Sequence, residues 1–158
     1  TQHQQTRKMQ LQRSYKSISG SCQWPASAVA DNAGGYATAL SKEHHRWLAV
    51  QPEYPFIDKR APKRVKHLEV IWTNDGPILC WTAPAYKDEM NRPIKYVVYR
   101  FAKEEKINLN DATKIMGFTQ STFFPLTYQD GKTQSTYVVT ALDRLHNESK
   151  AQRKKIKL

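Results

Sequence analysis

From Val65 to the end of the chain, apolar and polar side chains alternate in short runs rich in β-branched and aromatic residues. The plainest are Ile78-Leu-Cys-Trp-Thr-Ala-Pro84, Ile94-Lys-Tyr-Val-Val-Tyr-Arg100 and Tyr137-Val-Val-Thr-Ala141. A period of two places successive side chains on opposite faces, so such runs read as strands of a sheet. Turn residues separate them: Asn74-Asp-Gly-Pro77, the polar loop Lys87–Pro93, and Gln129-Asp-Gly-Lys132. The pattern predicts strands at Arg64–Trp72, Pro77–Thr82, Ile94–Ala102, Lys114–Thr119, Ser121–Thr127, Ser135–Asp143 and Lys150–Leu158. That number and spacing fit an antiparallel sandwich whose core includes Leu79, Trp81, Tyr96 and Tyr137.

The first third has another texture. Thr1–Ser17 is rich in Gln, Lys and Arg, with Met9, Leu11, Tyr15 and Ile18 as a thin apolar stripe, which predicts a polar helix. Ile18–Trp24 reads as a brief strand stopped by Pro25. Asp31-Asn32 offers a helix cap before Gly34-Gly35, and Tyr36–Trp47 a short amphipathic helix. Prolines 52, 55 and 62 punctuate an extended stretch that ends in a linker-like Asp58-Lys-Arg-Ala-Pro62. The division expected is therefore 1–58, a linker at 59–63, and a sandwich at 64–158.

Charge and cysteine content narrow the function classes. With 25 Lys and Arg against 14 Asp and Glu, the net charge is +11, which favours an acidic partner or simply a solvated lysine-rich surface. The cations are spread along the chain rather than gathered on one helix, which favours the surface reading. The two cysteines, Cys22 and Cys80, provide neither a disulfide framework nor a zinc quartet. They are expected as independent thiols, bonded only if their segments touch. No apolar run is long enough to span a bilayer, and no signal peptide opens the chain. Beginning Thr1-Gln-His-Gln without methionine, it reads like the middle of something longer.

Several of these motifs together resemble a fibronectin type III domain. Leu79-Cys-Trp81 followed by Pro84 looks like its second strand, Tyr96-Val-Val-Tyr99-Arg its third, and Tyr137-Val-Val-Thr-Ala141 its sixth, with Tyr137 at the tyrosine-corner position. Asp143-Arg-Leu-His-Asn147-Glu-Ser149 looks like the turn that follows, with His146 where glycine is usual. Upstream, Gly20-Ser-Cys-Gln-Trp-Pro-Ala26, Asp31-Asn-Ala-Gly-Gly35 and Gln51-Pro-Glu-Tyr-Pro-Phe-Ile-Asp58-Lys-Arg-Ala-Pro62 resemble the C-terminal part of a bacterial glycoside-hydrolase-like family of YngK type. That resemblance implies the end of a TIM-type barrel followed by a fibronectin-like domain. Residues 1–58 would be the barrel's last helix, strand and closing helix, a small α/β segment before a mainly β, seven-stranded immunoglobulin/fibronectin III-like sandwich.

Glycoside hydrolysis uses two carboxyl groups at a defined separation. No acid occurs up to Ala30, and only Asp31, Glu43, Glu53 and Asp58 lie in the barrel-like part. Asp31 reads as a helix cap, so no catalytic residue is assigned to this chain. Gln23 and Trp24 are the candidate carbohydrate contacts: an indole can stack on a sugar ring while an amide reads a hydroxyl. The alternative is that Trp24 covers the apolar floor of the fragment or packs on the sandwich. His44-His45 lack the spacing and companions of a metal site, so no metal is assigned. Nor does any phosphate-binding or cofactor motif occur, and no cofactor is expected.

Basic clusters at Lys59–Lys66 and Arg153–Lys157 could merge if the first and last strands are neighbours. They read first as edge-strand lysines that oppose aggregation. The expected role is a non-catalytic accessory region of an exported glycoside hydrolase that meets carbohydrate through the parent barrel. A basic module for nucleic acid or anionic polysaccharide, nucleic acid being disfavoured, and a self-associating sandwich are the alternatives. The N-terminal segment is expected to cover its apolar face on the sandwich or in a homodimer.

Overall fold

A computed structural model describes residues 2–18, 20–128 and 130–158. The chain divides into two compact units, one up to Trp47 and one from Leu48 onward.

In the first unit, helix α1 spans Gln2–Ser14, α2 Ala26–Ala30, and α3 Tyr36–Ala39, which continues as one wide π turn over Leu40–His44. The end of α1 falls three residues short of the predicted Ser17, and Thr1 lies outside the described residues. The predicted strand at Ile18–Trp24 is not formed: apart from Ser19, which is not described, these residues are extended or irregular. A strand exists only where its N–H and C=O groups find a ladder, and every described ladder lies in the other unit. Asp31 is also not an N-cap; it closes α2, its backbone N–H donating to the Ser27 carbonyl at 2.8 Å. Its neighbour Asn32 performs the side-chain anchoring, accepting from the Thr38 amide at 3.1 Å and donating to the Thr38 hydroxyl at 3.0 Å.

The second unit is the sandwich. Its strands are β1 Lys66–Thr73, β2 Gly76–Thr82, β3 Lys95–Ala102, β4 Ile115–Thr119, β5 Phe123–Pro125, β6 Gln134–Leu142 and β7 Gln152–Lys157. They form two antiparallel sheets in the orders β1-β2-β5 and β4-β3-β6-β7. Each predicted strand is present with ends moved by a few residues; the β5–β6 turn includes Gln129, which is not described.

Register decides which side chains meet. Leu79 lies opposite Val70 on one side and Phe124 on the other, while Val98 lies opposite Val139 and Tyr96 opposite Ala141. These inward positions form the inter-sheet core, where Leu79, Trp81, Tyr96 and Tyr137 are all buried together with Val65 and Ile156. Trp81 and Tyr96 meet edge to face with ring centroids 5.3 Å apart, the arrangement that aromatic quadrupoles prefer.

One feature departs from simple alternation. Along β6 every residue after Gln134 is buried, and β3 is buried at Tyr96–Tyr99 on both faces. The cause is a second apolar cluster on the outer face of the four-stranded sheet. There Val97, Tyr99, Phe101, Val138 and Leu142 are covered by Val50 from the segment before β1 and by Ile107 and Leu109 from the β3–β4 connection. A sheet covered twice is written with continuous apolar runs, which is why Tyr96-Val-Val-Tyr99 has no polar partner in its alternation.

The segment 48–62 is pinned to the sandwich by polar contacts. The Tyr54 amide donates to the Leu145 carbonyl at 3.3 Å, and the Asn147 side-chain amide donates to the Asp58 carbonyl at 3.3 Å. His146 Nδ1 lies 3.2 Å from the Pro52 carbonyl oxygen. The stretch predicted as a linker is held as well. Arg60 pairs with Asp58 at 3.2 Å and Asp88 at 3.0 Å, and the Asn91 amide donates to its carbonyl.

The turn that receives this segment is built on Asp143, which is wholly buried. Its carboxylate accepts from the amides of Leu145 at 2.8 Å and Asn147 at 3.0 Å, and from the Asn147 side chain at 2.9 Å. These charge-assisted bonds hold His146 at φ 63, a left-handed conformation that disfavours a side chain. A non-glycine residue is tolerated there because the neighbouring bonds over-determine the turn.

Candidate functional site

The groove that includes Gln23 and Trp24 lies within the N-terminal unit. Helical spacing brings Gln4, Lys8 and Gln12 to one face of α1, each four residues from the last, with Met9 beside them. The extended residues Ser21–Trp24 form a second wall, and the Gly34-Gly35-Tyr36 turn closes the floor. Gly34 and Gly35 sit at φ 59 and φ 77, the left-handed region that glycine occupies without steric cost. That double reversal carries the Tyr36 ring back toward Gln23. The space enclosed is about 500 Å³.

Side-chain roles within the groove are distinct. The Tyr36 hydroxyl donates to the Gln23 amide oxygen, and the Gln23 amide nitrogen donates to the Ser21 hydroxyl at 3.2 Å. Gln23 is thereby oriented from both ends. Trp24 is 91% exposed, so it covers no apolar floor and presents a free indole face at the rim. Nothing in the sequence alone marks Tyr36, Met9 or Lys8 as a groove residue. The Gly-Gly pair immediately before Tyr36 was the nearest signal, since a double left-handed turn redirects the next side chain.

The acids of the barrel-like part each have a structural role where their contacts are seen. Asp31 ends α2, Glu43 accepts from the Thr6 hydroxyl at 2.6 Å, and Asp58, in the other unit, is engaged by Arg60 and Asn91. The Arg60 backbone N–H, followed by its guanidinium, holds the Asp58 carboxyl below the usual range. None of the described residues lining the groove is a carboxylate. His44 keeps both ring nitrogens buried without a hydrogen-bond partner among the described residues, and His45 is exposed. No group of three His, Cys, Asp or Glu side chains placed to hold a metal occurs among the described residues.

Both cysteines are free thiols. Cys80 lies on the outward face of β2, between Glu69 and Phe123, and burial followed by the Glu69 charge pushes its thiol up. Glu148 accepts from the Tyr99 and Thr140 hydroxyls, each at 2.6 Å, and burial ahead of that bond raises the Tyr99 phenol far above its ordinary range. This network pins the back of the four-stranded sheet. No described helix is long and apolar enough to cross a membrane.

No family model matches the chain. Among curated proteins it is 30% identical over 151 residues to glycosyl hydrolase YngK of Bacillus subtilis (strain 168), covering 96% of this chain and 29% of that protein. The chain thus spans under a third of the length of the relative it matches. Among solved structures, the twitchin kinase region of C. elegans is similar over 63% of this chain and 17% of that one, at 14% identity and TM-score 0.48. The FN3tt mutant aligns over 61% of this chain and 94% of its own, at 16% identity and TM-score 0.43. The Clostridium perfringens spore cortex lytic enzyme SleM aligns over 61% and 28%, at 17% identity and TM-score 0.42. The fold itself rests on the strand order and the core described above. Nearly the whole chain is homologous to part of a YngK-type glycosyl hydrolase, which bears out the resemblance carried by its motifs.

Proposed function

We propose that this chain is a non-catalytic accessory region of an exported glycosyl hydrolase, in which the Trp24 groove contacts carbohydrate and the sandwich serves as a rigid support. The observation that carries the reading is the pairing of an exposed indole with an oriented amide in one groove, in a chain homologous to glycosyl hydrolase YngK. Sugar sites combine an aromatic face with a few fixed polar groups in this way. Chemistry on a glycosidic bond calls for two carboxyl groups at a set distance, so a groove lined by amides, a lysine and aromatic rings is suited to holding a sugar rather than cleaving it.

The test is titration of the full chain with a panel of neutral and N-acetylated oligosaccharides, followed by indole fluorescence and calorimetry. Wild-type protein should bind at least one class, and Trp24→Ala should abolish that binding while the unfolding midpoint stays unchanged. Joined to the rest of its parent protein, the region should accompany glycan hydrolysis that the fragment alone lacks. Absence of glycan binding and turnover in that longer protein overturns the reading.

A self-association reading draws on the same unit, where Leu11, Tyr15 and Ile18 remain 59%, 55% and 43% exposed. Pairing with a second copy would remove that apolar surface from water. Light scattering across a concentration series should then show a dimer, and Leu11→Gln should dissolve it; a monomer throughout rejects this reading.

A further inference from the structure

A second hollow, of about 490 Å³, lies in the sandwich between the β3–β4 connection and the edge strand β7. One wall carries Lys103 and Lys106, the other Arg153, Lys154 and Lys155, and the buried Thr136 lies at the floor. We propose that this groove binds a polyanionic glycan, one whose repeating units carry carboxylate or sulfate groups, lying along β7.

Three observations support that ligand class. The first is the charge balance. Both acids of the groove are already engaged, Glu105 by Lys114 at 2.5 Å and Glu104 by Lys155 at 3.7 Å. The Lys114 ammonium, ahead of the Ala102 amide, holds the Glu105 carboxyl below its usual range and in its ionised, paired form. Lys103, Lys106 and Arg153 therefore lie along one groove with no carboxylate partner among the described residues. Like charges across a partly walled groove repel, and an anion laid between them turns that cost into attraction.

The second is geometry. Alternate residues of a strand share a face, so Arg153, Lys155 and Lys157 form a row with steps of about 7 Å. The row extends beyond the hollow, which fits a repeating polyanion better than a single small ion. The third is the lining itself. Among the described residues it contains Ile107 and Thr136 but no aromatic ring, so bases would find nothing to stack on, whereas the Thr136 hydroxyl suits a sugar hydroxyl. The proposal stands apart from the Trp24 groove and does not depend on it.

The experiment is calorimetric binding of the full chain at about 50 mM and about 300 mM salt, conditions that separate counterion-driven association from the rest. Probes are a heparin dodecasaccharide, an oligogalacturonate of equal length, neutral dextran and a single-stranded DNA 12-mer. Heparin or oligogalacturonate should bind, and which of them binds more tightly identifies sulfate or carboxylate as the group read. The groove variant Lys106→Glu/Arg153→Glu should weaken binding by at least about tenfold, and the neutral Lys106→Gln/Arg153→Gln should lower the salt slope by about 2. The pair Lys87→Glu/Arg144→Glu, in the loops at the opposite ends of β3 and β6 from the groove, makes the same change in net charge and should cost less than about threefold. All four positions are exposed, so thermal melts should be unchanged. Equal losses from both charge-reversed pairs, DNA binding as tight as either glycan, or no glycan binding at low salt each overturn the proposal. Dextran and Trp24→Ala report on the other groove, so either reading can fail alone.

Discussion

The two compact units bury their apolar side chains very differently. Among the described residues up to Trp47, Met9 and Leu40 are the only buried ones, and the indole of Trp24 stands in solvent. From Leu48 onward there are two apolar clusters, one between the sheets and one behind the four-stranded sheet. Because burial of apolar area is the main favourable term in folding, stability belongs to the second unit and adaptable surface to the first. A well-formed groove can therefore rest on a scaffold with little core of its own.

The sharpest way to break this contrast is to separate the halves. Residues 1–47 alone should show no cooperative unfolding by circular dichroism, and 48–158 should melt near the midpoint of the full chain. A cooperative transition in the short piece would overturn the contrast outright. Next in size is Trp81→Ala, which empties the centre of the inter-sheet core and should cost about 3–5 kcal/mol in a urea titration. Asp143→Ala removes the acceptor for three hydrogen bonds in the β6–β7 turn and should cost about 2–3 kcal/mol.

Acid should have a smaller, graded effect. Asp58, Asp111 and Glu105 are all held below their ordinary values of 3.8, 3.8 and 4.5, chiefly by the Arg60 backbone amide, the Thr113 hydroxyl and Lys114 respectively. A carboxyl depressed on folding stabilises fully above its unfolded value and loses that contribution as pH falls through the lower folded one. The urea midpoint should thus be flat above pH 4.5 and decline below 3.8, and Asp58→Asn should make the decline shallower. The smallest effect should come from Met9→Ala, which should leave the main transition within about 0.5 kcal/mol of wild type. A larger shift would mean that the helical unit supports the sandwich.

The sandwich was legible because its information is local. Alternation at Leu79 and Trp81, the Asn74–Pro77 turn and the Tyr137 run each identify a strand without knowledge of its neighbours. The outer cluster was not legible: nothing near Val97 or Tyr99 indicates that Val50 and Leu109, distant in sequence, will cover them. The same limit explains the strand expected at Ile18–Trp24, since local pattern gives propensity while ladder partners are a matter of topology. In the Trp24 groove, Gln23 and Trp24 stood out by chemistry. Tyr36 became visible only once the left-handed turn at Gly34-Gly35 had set its direction.

The covering of Val97 and Tyr99 by Val50 has a practical side. A designer who trims this protein to its seven strands, starting at Lys59 or Arg64, would strip Val50 from the apolar cluster behind the four-stranded sheet. The smallest portable version of this domain starts upstream of its first strand, and any gene fusion or crossover that respects only the strands would inherit a sticky, short-lived product.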